Sequence, residues 1–169
     1  IYFFKWERRQ SLTVPVLSEY PPLSILLPCH NEGENIRETI HWLTKNNYPH
    51  YEIIAINDGS KDNTGTLLDE LATQYDKLRV ILILDNQGKA MALRMGALLS
   101  PHEYLVCIDG DAILDPDACT WMIWHFQSNE RVGAVTGNPR IRNRSTLLGQ
   151  IQVGEFSSIV GMIKRTQRI

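Results

Sequence analysis

The stretch Tyr104-Leu-Val-Cys-Ile-Asp-Gly-Asp-Ala112 decides how the chain folds. It opens as a short apolar run, the pattern of a strand buried on both faces of a parallel sheet. It stops at Asp109 and Asp111, two carboxylates separated by one glycine, and Asp115 and Asp117 follow closely. A buried strand that ends on acids delivers them to a mouth, where they can hold a metal or another cation.

Three further runs of the same kind lie upstream, at 23–27, 51–56 and 78–84. Each breaks into polar or glycine-bearing sequence: Pro28-Cys-His-Asn-Glu32, Asn57-Asp-Gly-Ser60 and Asp85-Asn-Gln-Gly-Lys89. Helical spacing fills the intervals. Ile36, Ile40 and Leu43 predict a helix over 33–46, and Leu67, Leu68 and Leu71 one over about 64–75. Ala90, Leu93 and Ala97 predict another over about 89–99. Asp115-Pro116 reads as an N-cap followed by proline at the first helical position, opening a helix to about Phe126. Residues 132–136 read as a fifth, weaker strand, Arg140, Arg142 and Arg144 alternate along an extended piece, and Ser145 can cap a last helix over 146–165.

Strand, turn and helix in repeated succession predict an α/β fold, a mostly parallel, Rossmann-like sheet flanked by helices. Right-handed crossovers place the C-terminal ends of parallel strands along one edge, where ligands of open α/β sheets bind. Residues 1–22 form a polar, proline-containing lead-in, 23–140 the core, and 141–169 a C-terminal helical segment. The opening Ile1-Tyr-Phe-Phe-Lys-Trp-Glu-Arg-Arg is aromatic and then basic. That pattern fits either the cytoplasmic end of a transmembrane helix or a flexible arm. The end at Lys164-Arg-Thr-Gln-Arg168 has no turn or cap, as expected of a piece of a longer protein.

The chain has 169 residues, 43% apolar and 21% charged, with a formal net charge of -2. That length supports one core, and the charge gives no electrostatic support to nucleic-acid binding. Cys29, Cys107 and Cys119 show no disulfide or metal spacing and read as small, reduced core residues. No apolar run reaches the ~18 residues of a membrane span.

The sheet edge carries the chemistry. Asp109 and Asp111 have the spacing to hold Mg²⁺ or Mn²⁺, since a turn at Gly110 lets both face one site; alternatively they are turn-formers ahead of Asp115. Asp58 can accept from a nucleobase N–H, or it makes an Asx turn. Gly88-Lys89, at a helix start, favours an anion but lacks the spacing of a P-loop. His30 reads as a residue on the site rim.

Pro28-Cys-His-Asn-Glu32, Asn57-Asp-Gly-Ser60, Asn86-Gln-Gly-Lys-Ala90 and Asp109-Gly-Asp111, in this order, resemble the N-terminal half of a processive family 2 glycosyltransferase of GT-A fold. Cellulose, chitin and hyaluronan synthases belong to that family. The resemblance implies an inverting transfer of a sugar, N-acetylglucosamine, from a UDP-sugar to a growing β-linked polysaccharide. It implies that Asp58 contacts the uracil. Cys29, His30, Asn31 and Glu32 would line the base and ribose, with Gly59 in the same site. Lys89 would lie near the diphosphate. Asp109 and Asp111 would form the metal pair, Asp111 as the direct ligand. It further implies a divalent cation, membrane attachment through flanking segments, a small membrane subunit, and a place on the cytoplasmic face of the bacterial inner membrane.

Asn57 stands where the family pattern has aspartate. The family's general base and its Gln-x-x-Arg-Trp motif have no match before Ile169 and are expected beyond it. Two other readings stay open: a non-catalytic glycosyltransferase-like scaffold, and a sugar nucleotidyltransferase. The latter needs a glycine-rich basic loop after the first strand, where this chain has Pro28-Cys-His-Asn-Glu32.

Overall fold

The computed structural model describes residues 13–137. Within them the apolar runs become four strands: β1 (Leu23–Cys29), β2 (Tyr51–Asp58), β3 (Leu78–Ile83) and β4 (Tyr104–Cys107). Four helices alternate with them: α1 (Ile36–Leu43), α2 (Thr64–Gln74), α3 (Lys89–Leu99) and α4 (Ala118–Ser128). All strand pairs are parallel and the order is β3-β2-β1-β4. Leu23 opens the central strand opposite Tyr51 on one side and Tyr104 on the other. β1 is therefore covered at both edges and both faces, which explains why Ser24, bonded to Glu52, is its one hydroxyl among apolar residues.

Side chains alternate across the sheet. On one face Leu23, Ile25 and Leu27 meet Ile53, Val106 and residues of three helices: Ile36 and Ile40 of α1, Leu68 of α2, and Cys119 and Ile123 of α4. On the other face Leu26, Ile54 and Ile56 meet Ala92, Leu93 and Ala97 of α3. Three helices thus pack on one face and one on the other. The chain winds from β1 outward to β3, crosses through α3, and returns on the far side of β1 as β4. The winding direction reverses between β1 and β4, and that is where the fold opens a crevice.

Several local expectations change. The helix expected over 33–46 shortens to α1, because Glu32 and Gly33 donate their N–H groups to Thr64 Oγ1 and Asp62 Oδ2 in the next loop. Asp115 Oδ1 does accept the Asp117 N–H at 3.0 Å, but a turn intervenes and α4 starts at Ala118. The fifth strand does not form: residues 132–137 have no strand structure and are largely exposed, and the Val132 N–H is taken by Asn129 O. Cys107 is exposed rather than core, because the α3 cluster draws on β1, β2 and β3 and contains no residue of β4. The chain divides into two compact units at Gly133 and Ala134. The expected extended arginine row and last helix lie outside the described residues.

No helix among the described residues is long and apolar enough to cross a membrane. The core carries the stability. Ile53 is 0% exposed and Leu82 is 63% exposed. Ile53→Ala is expected to cost about 2–5 kcal/mol, and Leu82→Ala to stay within about 0.5 kcal/mol of the parent. Urea denaturation of the two variants checks the contrast.

Candidate functional site

The ends of β1, β2 and β4 and the start of α3 enclose an open cleft of about 350 Å³. Its lining includes Pro28, His30, Glu32, Asp58, Asn86, Gly88, Lys89, Asp109, Gly110 and Asp111. The cleft sits at the reversal point between β1 and β4. Of the residues expected in the site, Cys29, His30, Glu32, Asp58, Lys89, Asp109 and Asp111 meet here. Asn31 and Gly59 instead line a neighbouring cleft of about 500 Å³ that shares His30 and Asn86.

β4 ends one residue before Ile108, whose N–H still reaches Leu26 O at 3.1 Å. The chain then turns: the Ala112 N–H closes on Asp109 O at 3.0 Å, leaving both carboxylates on the cleft. Glycine fits closely at 110: a Cβ would come within 2.9 Å of Glu32 Cγ and 3.2 Å of Pro28 O, so a side chain there would make Glu32 shift. Lys89, the first residue of α3, forms an ion pair through Nζ with Asp109 Oδ1. Both side chains are 59% exposed. A pair so exposed is weak and readily exchanged.

The Cys29–Glu32 turn is fixed by the loop after β2. A carbonyl can only accept, so His30 Nδ1 carries the proton it gives to Asp58 O at 2.8 Å. Nε2 then accepts from Asn31 Nδ2 at 3.1 Å. Asn31 adopts φ 57°, donates its N–H to Ser60 Oγ and accepts the Lys61 N–H. Thr64 Oγ1 accepts the Glu32 N–H at 2.8 Å and itself donates to Asp62 Oδ1 at 2.5 Å. That hydrogen bond from Thr64 holds the Asp62 carboxyl below its usual range. This clasp of Asp62 and Thr64 escaped sequence reasoning, although an acid two residues before a threonine at a helix start is its local signal.

The side chains expected in the site are held by contacts of their own. Cys29 packs into the core, with Sγ donating to Leu27 O. Burial, with Glu32 nearby, pushes its thiol up to about 12. Asp58 is buried, and its two oxygens accept the N–H groups of Gln87 and Gly88 at 2.8 Å each. Gly59 adopts φ 62°, and a Cβ there would lie 2.4 Å from the Asn86 nitrogen. Only glycine lets the β2 and β3 loops approach this closely. Asn57, at the position of the family's aspartate, keeps the turn by accepting the Ser60 N–H at 3.1 Å.

The cleft is acidic. Glu32, Asp58, Asp109 and Asp111 face one lysine, Lys89. Among the described residues no group of three or more His, Cys, Asp or Glu is placed to hold a metal by itself. Two carboxylates suit a hard cation whose remaining positions are filled by phosphate oxygens and water.

The profile of glycosyl transferase family 2 matches residues 24–167. The chain belongs to that family. Its members include the poly-beta-1,6-N-acetyl-D-glucosamine synthases of Staphylococcus epidermidis, 43% identical over 99% of this chain, and of Staphylococcus aureus strain COL, 42% identical over the same share. The family 2 chain described here covers 41% of the length of each. Among solved structures it resembles a mannosyltransferase from Pyrobaculum calidifontis in complex with GDP-Man and Mn²⁺. That match has a TM-score of 0.68 at 23% identity and covers 84% of this chain and 43% of that one. Staphylococcus aureus TarS 1-349 in complex with UDP-GlcNAc matches with a TM-score of 0.55 at 16% identity, over 72% of this chain and 38% of that one. These likenesses bear out the GT-A fold.

Thiol chemistry offers a check on the geometry. Cys29 and Cys119 are buried, and burial pushes the Cys119 thiol up to about 11. Iodoacetamide at pH 7.5 is expected to label Cys107 and to spare both others, read by peptide mapping. Equal labelling of Cys29 and Cys107 would contradict the placement of Cys29.

Proposed function

We propose that this chain is the donor-binding half of an inverting glycosyltransferase that extends a β-linked polysaccharide, with UDP-N-acetylglucosamine as the donor. The observation that carries the reading is the convergence of Lys89, Asp109 and Asp111 on one cleft at the reversal point of the sheet. Family membership supplies the reaction class. The names of the staphylococcal synthases and of the TarS complex both point to N-acetylglucosamine.

The charge balance of the cleft supports a divalent cofactor, Mg²⁺ or Mn²⁺. A diphosphate entering a cleft with four acids and one lysine is repelled unless positive charge enters with it. Asp109 and Asp111 would hold the cation, Asp111 with its carboxylate free of the lysine pair. When bound, the cation neutralises the charge that builds on the departing diphosphate. Lys89 then exchanges its contact with Asp109 for a phosphate oxygen, a small move for an exposed side chain. The N-terminus of α3, with Gly88 and Lys89 at its start, adds partial positive charge on the same side. The clasped Cys29–Glu32 turn forms the opposite wall.

Activation of the acceptor hydroxyl falls to a base outside these 169 residues. The same reading places the growing polysaccharide, a small membrane subunit and membrane-embedded flanking segments around this domain. It puts the domain on the cytoplasmic face of the bacterial inner membrane.

Calorimetry with UDP and Mn²⁺ tests the proposal. Binding is expected to require the cation and to weaken at least about tenfold in Asp111→Ala, a loss of about 1.4 kcal/mol. Binding of equal strength without Mn²⁺, or indifferent to both Asp109→Ala and Asp111→Ala, would overturn it.

A further inference from the structure

Thr39 stands in the middle of α1, on the stripe that carries Ile36, Ile40 and Leu43 into the core, and it is 2% exposed. A hydroxyl side chain inside a helix commonly turns back on a carbonyl three or four residues earlier. Thr73 of α2 does so to Glu70 O, and Ser128 of α4 to Trp124 O. Thr39 Oγ1 donates instead to Gly110 O at 2.8 Å, across 71 residues of chain. A hydroxyl buried in an apolar stripe is costly without a partner, and this one gives its proton to the turn between the two acids.

Gly110 is buried, while Asp109 and Asp111 on either side of it are exposed on the cleft. The peptide unit is planar, so the Gly110 carbonyl and the Asp111 N–H turn together. Holding the carbonyl restricts ψ of Gly110 and φ of Asp111, and with them the direction in which the Asp111 side chain leaves the backbone. Glycine alone would let that plane swing, since it lacks the Cβ that confines other residues. The Ala112 N–H closes the turn on Asp109 O, and Thr39 fixes its middle. α1 is itself anchored at the opposite wall. Glu32 O accepts the N–H groups of Asn35 and Ile36 at 2.9 Å each, and Thr64 Oγ1 holds the Glu32 N–H. One helix therefore sets the acid turn against the Cys29–Glu32 turn.

We propose that Thr39 is a positioning residue for Asp111. By holding the Gly110 carbonyl it sets the direction of the Asp111 carboxylate, and through it the affinity of the cleft for the divalent cation that accompanies the diphosphate. The inference rests on the donor-site reading above and adds to it a residue of α1 that lies outside the four sequence motifs. Only the hydroxyl is needed. Serine can make the same bond, whereas valine has the shape of threonine and no proton to give. Partners that orient a metal ligand commonly change metal affinity about tenfold or more when they are removed.

Mn²⁺ binding reads the cation side directly. Electron paramagnetic resonance of free Mn²⁺, in the presence of UDP, would follow titration with the full chain. The proteins are the parent, Thr39→Val, Thr39→Ser, Asp111→Ala and the double variant of Thr39→Val with Asp111→Ala. Thr39→Val is expected to weaken Mn²⁺ about tenfold and Thr39→Ser to stay within about threefold of the parent. Thr39→Val should add less than about twofold once Asp111 is gone, because it acts through that residue. Thr39→Ala removes the hydroxyl without placing a further methyl against the carbonyl and is expected to repeat the Thr39→Val result, so the test does not depend on one variant folding well. A loss shared by Thr39→Ser, or full additivity of Thr39→Val with Asp111→Ala, marks a general packing defect and overturns the inference, as does unchanged affinity in Thr39→Val. The peptide plane supplies an arm without ligand. In a weakly aligned sample the residual dipolar coupling of the Asp111 N–H should keep its value in Thr39→Ser and change in Thr39→Val, while the couplings of α1 and β1 hold. A parent chain that takes up neither Mn²⁺ nor UDP removes the donor-site reading, and the coupling still decides the hold of Thr39 on the turn: an Asp111 coupling unchanged in Thr39→Val overturns it.

Discussion

The reversal of winding beside β1 is the constraint on which the rest depends. β1 has β2 on one side and β4 on the other: the chain winds from β1 through β2 to β3 and then crosses back past β1 to β4. Among the described elements no crossover joins β1 directly to β4, and the cleft opens at the gap between their ends. Backbone and side chains there remain open to a ligand, while a few residues earlier β1 is sealed by core on both faces. The acids at 109 and 111 and the Cys29–Glu32 turn stand on either side of that gap.

Holding the gap in a defined shape takes a hydrogen-bonded frame rather than apolar packing. The β1 turn is clasped to the β2 loop through Asn31, Ser60, Thr64 and Asp62. The β2 end is clasped to the α3 start through Asp58. Gly59 and Gly110 remove the side chains that would crowd these loops. The result is a hydrogen-bonded rim that carries one exposed cation, the Lys89 side chain. A site of this kind is preorganised by its backbone and leaves the lysine free to follow its ligand.

Much of this was legible in sequence because parallel strands buried on both faces leave long apolar runs and end abruptly in polar loops. The four runs, the sheet edge and the paired aspartates are all visible that way, and 89–99 is α3 to the residue. Strand order was not legible, since nothing in a local pattern states which neighbour a strand takes. That left the position of the cleft along the edge open. Cys29 was legible as a small core residue, and its thiol packs with Leu27 into the core; its site role came from the family resemblance, and the residue also lines the cleft. The segment 132–136 has strand-like residues without a neighbouring strand, and propensity alone does not make a sheet. Asp58 was found as a candidate, but its partners lie about thirty residues away, beyond any local signal.

The central claim is that a cation and a diphosphate meet at the mouth between β1 and β4. Paramagnetic broadening of backbone amide signals by trace Mn²⁺ tests it most directly, with and without UDP. The expected result is broadening centred on Asp109, Gly110, Asp111 and Lys89 that deepens when UDP is present. Broadening centred elsewhere on the chain, or centred there but unchanged by UDP, would contradict the claim.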